Sequence, residues 1–242
     1  MKTLIKSILF CIVCVSLFIA SGCSKRNEDS NGISSGVPAY LDIKDGEAFY
    51  YYYAYLNMDG TCEKRSIRLN TRYISLSLKE PQLPADIAQR GFTASEFQGD
   101  NFGNYQYKGK SGTNRYWTEL TIGKDLTPEQ YFNLLADVKQ KNSNVIAGPY
   151  FNTLDGKKMG GTGHFFLVML KNEGDEALLD QMVEKTGCTV VGAFISPLLY
   201  WVSLTKETEF NAMECANIFY ESGLFQSADM PFMMHSDESL AY

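Results

Sequence analysis

Two histidines and six cysteines are the side chains in this 242-residue chain with the widest scope for chemistry. Nucleophilic hydrolysis needs a positioned base beside a nucleophile. The base would have to be His164, which enters an apolar run, or His235, which lies near a polar end. Neither sits in a recognisable catalytic setting, and both read as structural or surface histidines. No cysteine–histidine spacing suits a metal. The stretch Gly160-Gly161-Thr162-Gly163 precedes an apolar strand, whereas a phosphate cradle opens a helix and usually carries a lysine, so it reads as a hinge. Carboxylate pairs such as Asp175-Glu176 fall at helix starts, where the helix dipole accounts for them. The expectation is a binding protein that is not an enzyme and carries no cofactor and no metal.

Charge and composition narrow the partners. Lys+Arg is 22 against Asp+Glu 28, a net charge of −6, which leaves no basic face for nucleic acid. Hydrophobic residues at 45% and charged residues at 21% are ordinary globular values and exclude disorder, collagen and coiled coil. Lys2 and Lys6 precede the almost wholly apolar residues 8–20, a run of signal-peptide length that is short for a membrane span. It ends in Ala20-Ser21-Gly22-Cys23, which resembles the bacterial lipoprotein box. That resemblance implies that residues 1–22 are a cleaved signal peptide and that Cys23 is lipidated, which fixes the protein to a membrane at ~0.8 kcal/mol per buried methylene. Ser24 in place of Asp favours the outer membrane, on its periplasmic or its cell-surface face.

Residues 23–46 follow as a polar, Gly/Ser-rich tether. Loss of Lys2 and Lys6 takes the charge from −6 to −8. Cys62, Cys188 and Cys215 then remain, an odd number in an oxidising compartment. One disulfide could form, but no spacing supports a pair. Buried free thiols suit the apolar surroundings of Cys188 and Cys215.

The elements that must carry any binding surface are clearest toward the C-terminus. Residues 164–170 are a short apolar run, read as a buried strand. Residues 175–186 place Leu178, Leu179, Met182 and Val183 at helical spacing, with Gly187 as the stop. Residues 188–195 and 199–204 are strands separated by Ser196-Pro197. Residues 206–221 form a second helix with Ala212, Cys215, Ala216 and Phe219 on one stripe and acids in its first turn, and residues 224–228 form a last strand. The order βαββαβ is that of a ferredoxin-like unit.

Upstream, strands over 73–78, 104–108, 116–122 and 144–151 alternate with a short helix over 84–90 and one that starts at Thr127-Pro128-Glu129-Gln130. The order is the same. Tyr116-Trp117 and Leu120-Thr121 match Tyr200-Trp201 and Leu204-Thr205, and Phe132-Asn133 and Phe210-Asn211 fall in the helices that follow, which points to an internal duplication. Both tryptophans read as core aromatics. Ahead of the first copy, Asp59-Gly60 joins the runs 49–56 and 62–69 as a hairpin, whose tyrosines 50–53 pack an edge or face a partner. The fold class is α+β, two tandem ferredoxin-like units. Residues 47–152 are the first unit with its hairpin, 153–163 a linker, 164–232 the second unit and 233–242 a C-terminal tail.

The second unit also resembles a known family. Leu167-Val168-Met169-Leu170-Lys171-Asn172, Asn211-Ala212, Ala216-Asn217 and Phe219-Tyr220-Glu221-Ser222-Gly223-Leu224-Phe225 look like the N-terminal prosegment of bacteroidete subtilisin-like serine proteases. The likeness extends more loosely over residues 45–160. Ala228-Asp229-Met230-Pro231 stands where related sequences carry Asp-Pro, and the chain stops at Tyr242 where a protease would continue.

The resemblance implies a prosegment without its enzyme, a module whose open sheet face packs on two helices of a subtilisin-like protease. The segment after its last strand would enter the cleft as an added β-strand. In that reading Ser239, Leu240, Ala241 and Tyr242 are the cleft-binding end, with Tyr242 in the primary pocket; otherwise they are a frayed polar tail. The implied function is inhibition or assisted folding of such a protease. The alternative is a non-catalytic cell-surface adhesion or complex-forming module that meets its partner through Tyr51 and Tyr53.

Overall fold

Alternation of apolar and polar side chains builds two antiparallel sheets, and helices with one apolar stripe cover them. The computed structural model describes residues 49–53, 62–154 and 156–231. The expected signal peptide, Cys23, the tether and the tail with Ser239, Leu240, Ala241 and Tyr242 lie outside the described residues.

Strand β1 (Phe49–Tyr53) pairs antiparallel with the start of β2 (Glu63–Leu78), Phe49 opposite Ile67 and Tyr53 opposite Glu63, as a hairpin requires. Helix α1 (Ala85–Ala88), β3 (Thr93–Ala94), β4 (Gln98–Gly99), a 3-10 turn (Phe102–Asn104), β5 (Gln106–Tyr107) and β6 (Lys110–Ser111) follow. Then come β7 (Tyr116–Thr121), α2 (Pro128–Lys141), β8 (Ile146–Asn152) and β9 (Lys158–Gly161). The first sheet runs β3-β7-β2-β8-β9, with β1 on β2 and β4 on β7. The second is made by β10 (Phe165–Met169), α3 (Glu176–Thr186), β11 (Thr189–Phe194), β12 (Ser196–Ser203), α4 (Ala212–Glu221) and β13 (Ser227–Asp229), in the strand order β11-β12-β10-β13. The chain is thus a mixed α+β protein with antiparallel sheets, and side chains of both sheets meet in one apolar cluster.

Several expectations are corrected in detail. Residues 62–69 and 73–78 are one strand, because the register against β8 slips between Leu69 and Ile74 and the chain bulges there instead of turning. Residues 104–108 are not the second strand of the first sheet. The place beside β7 is taken by β3 and β4, and Gln106-Tyr107 folds back on Lys110-Ser111. The two-residue turn between them, Lys108-Gly109, has φ of 49° and 76°, the mirror-image geometry that short hairpins favour. The stretch expected as a linker contains β9, which pairs along β8.

Helix α4 begins at Ala212, later than expected. Asn211 caps it, its side chain accepting from Glu214 N at 3.1 Å while a Glu214 carboxylate oxygen accepts from Asn211 N at 2.7 Å. Thr127 and Gln130 form the same reciprocal pair on α2. Trp117 and Trp201 are 84 residues apart, and so are the caps Thr127 and Asn211, so strand, loop and cap recur at one spacing. Phe132-Asn133 lies inside α2, whereas Phe210-Asn211 precedes α4, so that letter match is not an equivalence.

Tyr131, on α2, repairs the bulge in β2. Its fully buried hydroxyl donates to Tyr73 O at 2.6 Å and accepts from Tyr150 N at 3.0 Å, backbone groups that the slipped register leaves without each other. Tyr131→Phe removes both partners at once. We expect a loss of about 1–3 kcal/mol, the cost of leaving buried polar groups unpaired, with the fold retained. Urea unfolding measures it, and an unchanged midpoint would contradict the assignment.

Candidate functional site

The sequence directs attention to the outer face of the second sheet. Phe166, Val168 and Leu170 are fully buried on the helix side, where Phe166 meets Phe219 of α4 at 5.0 Å. By alternation Phe165, Leu167 and Met169 point the other way, with Trp201 opposite Leu167 and Leu199 opposite Met169. One end of this helix-free face is roofed by the protein itself. Phe102 places its ring 4.9 Å from Phe165 and 5.7 Å from Trp201.

Two glycines let the roofing segment lie directly on the sheet. A Cβ at Gly112 would come 2.3 Å from Phe102 O, and one at Gly192 would come 2.9 Å from the Tyr105 Cβ. The segment then wraps the β11 edge, where Tyr107 donates to Asp180 at 3.1 Å and Tyr200 donates to Glu176 at 3.1 Å. Toward Met169 the face stays half-buried, and Ile195, in the turn between β11 and β12, is 80% exposed with φ +51°. A β-branched residue in the left-handed region is a strained choice for a merely solvent-facing turn.

The roof is fixed by one carboxylate. Asp100 Oδ1 accepts from Phe102 N and Arg115 N, each at 3.1 Å, and Oδ2 pairs with His164 Nε2 at 3.0 Å. His164 is fully buried, its ring against Phe102 and Phe165, and its bond to Asp100 ties the roofing segment to the second sheet. Arg115 is also buried, 8% exposed. It donates from Nε to Ser77 Oγ at 2.7 Å and from Nη2 to Ser77 O and Asn144 O at 2.7 and 2.8 Å. It borders a cleft of about 630 Å³ between the roofing segment and the ends of β11 and β12. Among the described residues no group of three His, Cys, Asp or Glu side chains is placed to hold a metal ion.

The tyrosine run is divided, Tyr51 facing the interior and Tyr50, Tyr52 and Tyr53 half-buried. Tyr51 is 4% exposed, so it cannot meet a partner as the adhesion alternative requires. Tyr50 and Tyr52 donate to Glu221 of α4 at 2.8 and 3.0 Å, and Asn217 donates to Tyr50 O at 2.9 Å, which latches the hairpin to α4. The structure also brings together two cysteines that sequence spacing did not pair. Cys188 and Cys215 stand with their sulfurs 3.7 Å apart, while Cys62 lies elsewhere on β2's approach. The hydrogen bond between the two thiols holds Cys188 below its ordinary value, and the same bond together with burial holds Cys215 well above.

No protein-family model matches the chain, and no curated protein matches it. Among solved structures, the regulatory subunit of aspartate kinase from Thermus thermophilus in its ligand-free form aligns with 64% of this chain and 96% of its own, at 14% identity and a TM-score of 0.16. A likeness at that level carries no functional argument.

Burial, the larger effect, holds His164 below its ordinary value, while Asp100 pulls it upward and Arg115 downward. A depressed folded-state value means that the stability tied to neutral His164 is present above the unfolded value of about 6.5 and is lost as the pH falls below it. His164→Gln removes this titration. The parent's urea midpoint is expected to fall between about pH 6.5 and pH 5 more steeply than the variant's; equal slopes would contradict the assignment.

Proposed function

We propose that the chain is a lipid-anchored, non-catalytic binding protein of the prosegment type, which inhibits a subtilisin-like serine protease or assists its folding. Support comes first from topology. Numbered within its own unit, the second sheet runs 2-3-1-4 with every pairing antiparallel, the order of a ferredoxin-like module. In the first sheet β3-β7-β2-β8 stand in the same relation. Both units are read as ferredoxin-like on that ground.

The observation that carries the reading is the unroofed part of the second sheet's helix-free face. It presents half-buried Leu167 and Met169 and ends at the exposed, strained Ile195. A partner helix laid there would cover apolar area now in contact with water. Because Phe102 occupies the other end, the partner seats on the Met169–Ile195 end alone, and the segment after β13 reaches for the cleft. A standard protease–inhibitor interface of roughly 1,600 Å² needs both contributions. For the adhesion alternative Tyr51 is buried, which leaves half-buried Tyr53 as the tyrosine of that pair able to meet a partner.

The membrane anchor is the lipid on Cys23, with the outer membrane as destination. A fatty-acid label that enters the parent and not Cys23→Ser would support it. The purified protein is expected to slow a subtilisin-like protease at submicromolar concentration. Deleting Ser239 to Tyr242 should weaken this strongly. Ile195→Asp, a change at an exposed tip, should weaken it at least about tenfold, as loss of a central apolar contact does. No inhibition across a panel of such proteases, including any encoded beside this chain, would overturn the reading.

A further inference from the structure

The cleft beside Arg115 has a charge opposite to that of the protein. The chain carries −6, yet Lys79, Lys108, Lys110, Arg115 and Lys206 border this one cavity, and Asp180, the acidic residue among its walls, is already paired with Lys108. Arg115 lies at its inner wall. Its three engaged donors meet neutral acceptors, its Nη1 has no partner among the described residues, and no carboxylate there comes within ion-pair distance of it. The nearby Asp100 has its oxygens occupied by Phe102 N, Arg115 N and His164 Nε2.

A buried charge held by neutral partners alone is costly, and burial here works against the guanidinium's charge. Lys79 and Lys110, at the rim, make no ion pair among the described residues. The volume, about 630 Å³, is that of a small-molecule site.

We propose that this cleft binds a small polyanion bearing phosphoryl groups, with one group on Arg115 Nη1 and the others among Lys79, Lys110 and Lys206. A guanidinium fork and several ammonium groups match multiply charged oxyanions better than a single carboxylate. The site does not involve the sheet face assigned to a protease, so either function can fail without the other.

Calorimetric titration of the full chain in detergent with inorganic pyrophosphate tests it, with citrate as a carboxylate of comparable charge. Pyrophosphate is expected to bind at one site and to weaken as salt is raised. Lys79→Ala with Lys110→Ala, both exposed positions that leave the core intact, should weaken binding about tenfold, the loss of one or two charge-assisted contacts. No heat with pyrophosphate, or binding unchanged in the double variant, would overturn the site. Tighter binding of citrate than of pyrophosphate would overturn the phosphoryl assignment.

A separate observation carries a second inference. The structure assigns Cys188 and Cys215 as a pair that closes into a disulfide by thiol–disulfide exchange. Their sulfurs are in contact at 3.7 Å, across 27 residues of chain, one at the entry to β11 and the other on α4. Cys188 is the less buried, so its thiolate attacks one sulfur of a small disulfide and one thiolate leaves. Cys215, its proton lost to solvent, then attacks the Cys188 sulfur and the second thiolate leaves. Two protein thiols are oxidised and one external disulfide is reduced to two thiols.

Oxidised glutathione is the probe. Peptide mapping is expected to show Cys188 joined to Cys215, Cys62 outside the link, and a thermal midpoint raised by several degrees that dithiothreitol reverses. Alkylation of both thiols in the denatured, treated protein, or a link that includes Cys62, would overturn the pairing.

Discussion

The carboxylate of Asp100 is the constraint on which the arrangement of the two sheets depends. A carboxylate so enclosed, about 10% exposed, must find donors. It finds three, each from a different place: the start of the roofing segment at Phe102, its end at Arg115, and the entrance to the second sheet at His164. One side chain therefore closes the loop between Asp100 and Arg115 and fastens that loop to the second sheet. The aromatic contacts of Phe102 with Phe165 and Trp201 and the close approaches at Gly112 and Gly192 complete a fit that Asp100 orients.

This has consequences for what the molecule presents outward. Part of the second sheet's helix-free face is consumed internally, and an apolar strip ending at Ile195 is left over. The same segment, passing over the β11 edge, walls a cleft with lysines and leaves a buried guanidinium at its inner side. Both surfaces are held by the frame that Asp100 fastens. His164, the residue with the most obvious chemical potential, is spent on the frame. It is kept neutral by burial, and Nδ1 has no partner among the described residues.

Local signals in the sequence are strong where the physics is local. The Thr127 box at α2, the Gly187 stop after α3, where φ is +70°, and the runs expected as the strands β1, β7 and β10 lie where spacing and side-chain type put them. The start of α4 is displaced because Glu207 and Glu209 mimic a first helical turn, although Asn211 and Glu214 spell a better one. Residues 104–108 mislead because their alternation suits a strand, while Lys108-Gly109 makes a turn usually announced by Asn or Asp.

The site is hardly legible at all. Asp100 and His164 are 64 residues apart, and Cys188 and Cys215 are 27 apart, and neither pairing follows from any periodicity. The basic cleft gathers residues from 79 to 206 in a chain whose overall charge points the other way. Such sites are products of tertiary packing, and only the packed chain displays them.

The two tryptophans offer the most direct measurement of the coupling attributed to Asp100, since Trp117 lies in β7 of the first sheet and Trp201 in β12 of the second. Single-tryptophan proteins, Trp117→Phe and Trp201→Phe, report the urea unfolding of each half by fluorescence. With Asp100 in place the two transitions should coincide, and with Asp100→Ala they should separate, the second sheet and the first unfolding at different urea concentrations. Separate transitions in the parent, or coincident ones in Asp100→Ala, would contradict the coupling.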